Sequence, residues 1–118
     1  MLAIKAGNIM MKSGAEIYRV EDTIERICKS CGIEYVHVFA TPTGIFVSTD
    51  NVDASNTVTY IKRVKSSETD LTKISRVNAF SRSFTTTDMT VEEGMEILED
   101  IEKPSLILSG SERFKQRL

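Results

Sequence analysis

The segment SGAEIYRVEDT, Ser13 to Thr23, places Glu16, Glu21 and Asp22 close to Arg19 and Tyr18. A carboxylate beside a guanidinium can hold the two ends of a small zwitterion or fasten one element to another. What decides between these roles is where each side chain points. With Val20 at zero and about 100° per residue on a helical wheel, the apolar stripe Ile17, Val20, Ile24, Ile27 and Cys31 centres near 20°. Glu16 then falls at about −40°, Thr23 at about −60° and Arg19 at about −100°. Glu21, Asp22 and Glu25 fall on the solvent side. Glu16 is therefore expected on the shoulder of the buried face, with Arg19 and Thr23 beside it. An unpaired buried carboxylate is costly, so the pattern predicts that Glu16 pairs with Arg19 or with a donor from a neighbouring sheet. Two readings stay open: a polar site beneath the sheet, or a structural ion pair.

Other polar residues lie near apolar patterns. Thr41 and Thr43 bracket the turn TPTG, and their hydroxyls could serve a ligand if the turn lies over the helix shoulder. TPTG has one glycine and no following lysine, so it is a hairpin turn before it is a phosphate loop. Arg63 shares a strand face with Ile61 and could reach the same region, and Asn78 sits beside an apolar helical stripe. A structural role is open for each. The tentative binding set is Glu16, Arg19, Thr41, Thr43, Arg63 and Asn78.

No catalytic or metal signature stands out. The single histidine, His37, alternates with Val36 and Val38 on a strand pattern, and neither a G-x-S-x-G elbow nor HExxH occurs. Cys28-x-x-Cys31 ends a helix instead of beginning one, and no second pair of soft ligands accompanies it. The two thiols read as reduced and semi-buried. No cofactor and no metal are expected, catalysis has no support in the motifs, and no catalytic residue is assigned.

These residues need elements to position them. Good helix formers over 2–12 carry Ala3, Ala6 and Met10 at helical spacing, and Ser13-Gly14 supplies a stop. A second helix is predicted from about Ala15 to Cys31, ending at Gly32. On its far side Asp22–Arg26 and Glu25–Lys29 have the favourable i,i+4 order for ion pairs. The period then becomes alternating: Tyr35 to Ala40 and Ile45 to Thr49 form a hairpin through TPTG, with Pro42 entering the turn and Gly44 in a left-handed, bulged position. A polar connection, Asp50 to Asn56, leads to a third strand, Thr57 to Val64. After KSSET, Leu71, Ile74, Val77 and Ser81 mark a third helix with Asp70 near its N-terminus. Thr90 and Glu93 form a capping box for a fourth, with Met95, Leu98 and Ile101 inward and Pro104 closing it. The fold expected is α+β: two helices, a three-stranded antiparallel sheet, then two helices, all packed on one face of the sheet. One domain over 1–103 is followed by a tail or linker over 104–118.

With 118 residues, 41% hydrophobic and 27% charged, the chain has ordinary globular composition. A net charge of −2 gives no basic stripe, so nucleic acid is not an expected partner. The start shows no signal-peptide pattern and no apolar run approaches the length of a membrane span, so the chain alone reads as soluble and cytosolic.

The series AG…SGAEIYRVEDT…CGIEYVHVFATPTGIFVS…TYIKRV…DLTKISRVNAFSR resembles the N-terminal domain of the threonine/serine exporter family, which also includes succinate exporters. The likeness runs from about Ala6 to Ile101. It implies a cytoplasmic domain, at the inner face of the cell membrane, that precedes a polytopic membrane region lying outside this chain. Ser13, Gly14, Glu16, Arg19, Glu21, Thr41, Pro42, Thr43, Gly44, Arg63 and Asn78 are the family-typical positions. The resemblance implies a regulatory or substrate-handling role, with the exporter's membrane region or a membrane subunit as partner and a small amino acid or dicarboxylate as ligand. Two alternatives remain: a small peptidase- or amidase-like hydrolase serving the exporter, and a non-catalytic module for homo-oligomerisation.

Overall fold

The computed structural model describes residues 1–50, 57–65 and 68–104. The connection over 51–56, Ser66-Ser67 of the KSSET linker, and the predicted tail beyond Pro104 lie outside the described residues. The elements run α1 (Leu2–Lys12), α2 (Ile17–Ser30), β1 (Tyr35–Thr41), β2 (Gly44–Asp50), β3 (Thr57–Arg63), α3 (Leu71–Thr86) and α4 (Val91–Glu102). This is the α+β order read from the sequence.

α1 is apolar almost all round, and a helix of that kind belongs inside. Leu2, Ala3, Ile4, Ala6, Gly7, Ile9, Met10 and Met11 are buried, and the helix touches α2, α3, α4 and β2. Gly7 sets its distance from α2, because a Cβ there would lie 2.7 Å from Ile24 Cγ1. The helix closes at Ser13-Gly14, where Ala15 N–H donates to Met10 O at 3.0 Å and Gly14 takes φ 96°.

α2 buries Val20, Thr23, Ile24, Ile27 and Cys28. Ile17 and Cys31, expected inward, are exposed. Each residue lies at an end of the helix. The helix starts two residues later than predicted, so Ile17 occupies its first turn, and Cys31 is already the C-cap. Asp22–Arg26 and Glu25–Lys29 pair at 3.0 and 3.1 Å as the spacing predicts.

The sheet is antiparallel in the order β1-β2-β3. Thr41 pairs with Gly44, so only Pro42 and Thr43 form the turn. The predicted left-handed Gly44 is not found; positive φ occurs at Gly14 and Gly32. Thr41 replaces it: its hydroxyl oxygen accepts from Gly44 N–H at 3.0 Å and Thr43 N–H at 3.3 Å. A short side chain that bonds its own turn removes the need for a glycine conformation.

α2 covers β1 and α1 covers β2, burying Ala40, Ile45 and Val47 beneath the sheet. All seven residues of β3 are exposed. α3 begins at Asp70, whose carboxylate accepts from Lys73 N–H at 3.0 Å. It buries Val77, Phe80, Ser81 and Phe84, while Leu71, expected inward, is 74% exposed at its first turn. Thr90 and Glu93 form the predicted capping box of α4, which buries Leu98 and Ile101.

Candidate functional site

The helix-to-sheet carboxylate is Glu21, not Glu16. Glu21 Oε2 accepts from Ala40 N–H at 2.9 Å, while Glu16 is exposed and, among the described residues, accepts only from Tyr18 Oη, at 3.1 Å. Glu16 has extended backbone, φ −67° and ψ 143°, as the N-cap of α2. It therefore does not lie on the helical wheel that assigned it to the buried shoulder. Glu21, about 100° round from Val20, faces β1 and not solvent.

The other five residues of the expected set are divided among three places. The first is the hairpin turn, where the Thr41 hydroxyl is committed to Thr43 N–H and Gly44 N–H and also donates to Gly44 O at 3.2 Å. Thr43 is exposed, its hydroxyl 3.4 Å from that of Thr41. The second is the outer face of the sheet. Arg63 pairs across from Gly44, and Gly44 from Thr41. Alternation from buried Ala40 and Ile45 therefore sends Arg63 away from the helices, with Ile61, Phe46 and Phe39. It does not share a region with Arg19.

The third place is the seam between α2 and α3, which pack together. With Glu21 turned to β1, the opposite flank of α2 carries Arg19 and Thr23. On α3, Arg76 bonds Asp100 of α4 at 3.1 Å and Lys73 reaches Glu102 O at 3.1 Å. Asn78, roughly opposite Arg76 on the wheel, falls on the flank of α3 away from α4. Arg19 and Asn78 are half-buried, and neither side chain has an ion-pair or hydrogen-bond partner among the described residues. Thr23 is fully buried and its Oγ1 has no hydrogen-bond partner among the described residues. A buried hydroxyl left unpaired costs about 1–3 kcal/mol, so polar capacity is concentrated here.

The remaining ionic cluster was not apparent in the sequence. Glu102, at the end of α4, takes Lys12 at 2.6 Å and Lys5 at 3.0 Å on its carboxylate. Those two lysine hydrogen bonds hold its pKa down at about 2. The lysines come from positions 90 and 97 residues earlier, a separation no local pattern reports. Cys28 and Cys31 are free. Burial first, then the neighbouring Cys31 and Glu25, push the Cys28 thiol up to about 11, which makes it unreactive.

On the outer face, Thr57 Oγ1 donates to Asp50 at 2.6 Å, and His37 Nε2 lies 4.0 Å from Asp50. The His37 side chain is 75% exposed and beyond hydrogen-bond length, so the cluster holds no oriented base. Among the described residues no group of three His, Cys, Asp or Glu could hold a metal ion, and no helix is long and apolar enough to cross a membrane.

No curated protein and no solved structure matches the chain at a significant level. Against family models, residues 1–109 match the family described as "Putative threonine/serine exporter". That match takes in every element of the fold and every residue discussed above, and the chain belongs to the threonine/serine exporter family.

Proposed function

We propose that this chain is the solute-recognising, regulatory part of a threonine/serine exporter, acting at the cytoplasmic face of the membrane beside the transporting region. The ligand is a small amino acid or carboxylate, held at the α2–α3 seam. One observation carries the reading: among the described residues, neither the buried Thr23 hydroxyl nor Arg19, on the same helix flank, has a side-chain partner. Arg19 supplies a planar pair of donors suited to a carboxylate. The Asn78 amide and Thr23 hydroxyl supply the neutral contacts, and Glu16, at the N-cap of α2, supplies a counter-charge for an ammonium group. Thr41 has a structural role in this reading, and Arg63 lies on another face.

Calorimetric titration with threonine, serine and succinate tests it. Binding of at least one is expected, weakened about tenfold or more by Arg19→Gln, the loss of a charge-assisted contact. Arg63→Ala should bind as the parent does. Absence of heat with all three solutes, in a folded sample, counts against the reading.

A further inference from the structure

β3 is an edge strand, and the charged side chains that would blunt it, Lys62 and Arg63, stand together at one end. It has no strand partner on its far side among the described residues, it is seven residues long, and both of its faces are exposed. Ile61 is 70% exposed, and Val58 and Tyr60 are each 37% exposed. Such an edge is a template for a further strand unless it is bulged, shortened, covered or charged along its length, and Thr57 to Ile61 carry no charge.

The direction of its backbone groups follows from one bond. Val64 N–H donates to Thr43 O at 3.0 Å, toward β2. By alternation, Val58, Tyr60 and Lys62 also bond β2, while Thr57, Thr59, Ile61 and Arg63 point their amides and carbonyls at the free edge. An antiparallel copy of β3 centred on Tyr60 sets Thr57 opposite Arg63 and Thr59 opposite Ile61. Every outward residue then meets another outward residue. The charges agree with this register. Asp50 lies across from Thr57 on the outer face and bonds its hydroxyl. The partner's Arg63, arriving on the other side of Thr57, stands two strand spacings from Asp50, about 10 Å between backbones, within reach of an extended arginine. On the inner face Tyr60 meets its own copy, beside an apolar groove of about 330 Å³ that it walls with Leu2, Ile27, Cys31 and Val91.

We infer that a second copy of this chain pairs along β3, joining two three-stranded sheets into one continuous antiparallel sheet across a twofold axis. The self-complementary register and the Asp50–Arg63 match favour a copy over an unrelated strand. This inference does not depend on solute binding at the α2–α3 seam.

Sedimentation equilibrium on the full chain tests it. The parent should be a dimer at about 100 µM, a concentration at which even micromolar pairing is nearly complete. Ile61→Pro removes one outward N–H and no bond to β2, and should leave a folded monomer by circular dichroism. Arg63→Glu should weaken the dimer about tenfold, and adding Asp50→Arg should restore it, as exchange of a charge pair requires. A monomeric parent overturns the proposal. So does a dimer unchanged in Arg63→Glu, or a folded Ile61→Pro variant that still dimerises.

Discussion

Replacing Glu21 should destabilise the fold, and replacing Glu16 should not. The Glu21 carboxylate accepts from Ala40 N–H at 2.9 Å, and Ala40 is 3% exposed. In β1 that amide points away from β2, because neighbouring Thr41 closes the hairpin, so Glu21 seals the free edge of the sheet. A hydrogen bond to a charged acceptor contributes roughly 1.5–3 kcal/mol, and loss of the acceptor leaves a buried donor. Glu21 is half-exposed, so water can re-enter, which puts Glu21→Ala near the lower end, about 2 kcal/mol. For a chain of this size that corresponds to a fall in Tm of roughly 6–10 °C. Glu21→Gln keeps a neutral acceptor and should lose about half as much. Glu16→Ala, which removes one exposed contact to Tyr18, should stay within about 0.5 kcal/mol. Urea unfolding of the three variants reads all of this from midpoints at constant m. Equal losses at positions 16 and 21, or no loss in Glu21→Ala, would refute the assignment of the helix-to-sheet link.

Acid should release the end of α4. Glu102 has a pKa of about 2 in the folded chain against an ordinary 4.5, so its contribution is present above the ordinary value and is lost as pH falls toward 2. The carboxylate is 31% exposed, and screening reduces the effect to about 1–1.5 kcal/mol. Glu102→Gln should remove that part of the acid dependence in unfolding measured between pH 5 and pH 2. Thiol titration with a chromogenic disulfide should show Cys31 reacting readily and Cys28 only on unfolding; two fast thiols would contradict the burial of Cys28. Gly7→Ala forces its new methyl against Ile24 and should cost roughly 1–3 kcal/mol in thermal unfolding.

The element order was legible because each helix and strand carries its own period or cap. The Asp22–Arg26 and Glu25–Lys29 pairs and the Thr90–Glu93 box are all local, and all are present. The wheel failed at Glu16 because it assumed a helix already running at a residue that proves to be its cap. Ile17 lies on the wheel but in the first turn, where the stripe has not yet reached the core. Glu21 was misassigned because an apolar stripe says which face is buried but not which flank meets a strand amide. The Gly44 conformation was missed because the Thr41 side chain made it unnecessary. The flank of α2 that carries Arg19 and Thr23 was legible, whereas the flank Asn78 takes on α3 depends on the Arg76 and Lys73 bonds that tie α3 to α4. Arg63 was placed on the correct strand face and the wrong side of the sheet, since alternation alone does not say which face the helices cover.

Backbone amide NMR spectra recorded while threonine, serine or succinate is added test the central claim most directly. The account predicts saturable shifts concentrated at Arg19, Thr23 and Asn78, lost in Arg19→Gln, with the outer sheet face around Arg63 unmoved. Spectra that do not move with any of the three solutes, or shifts confined to the hairpin turn or the outer face, would contradict it.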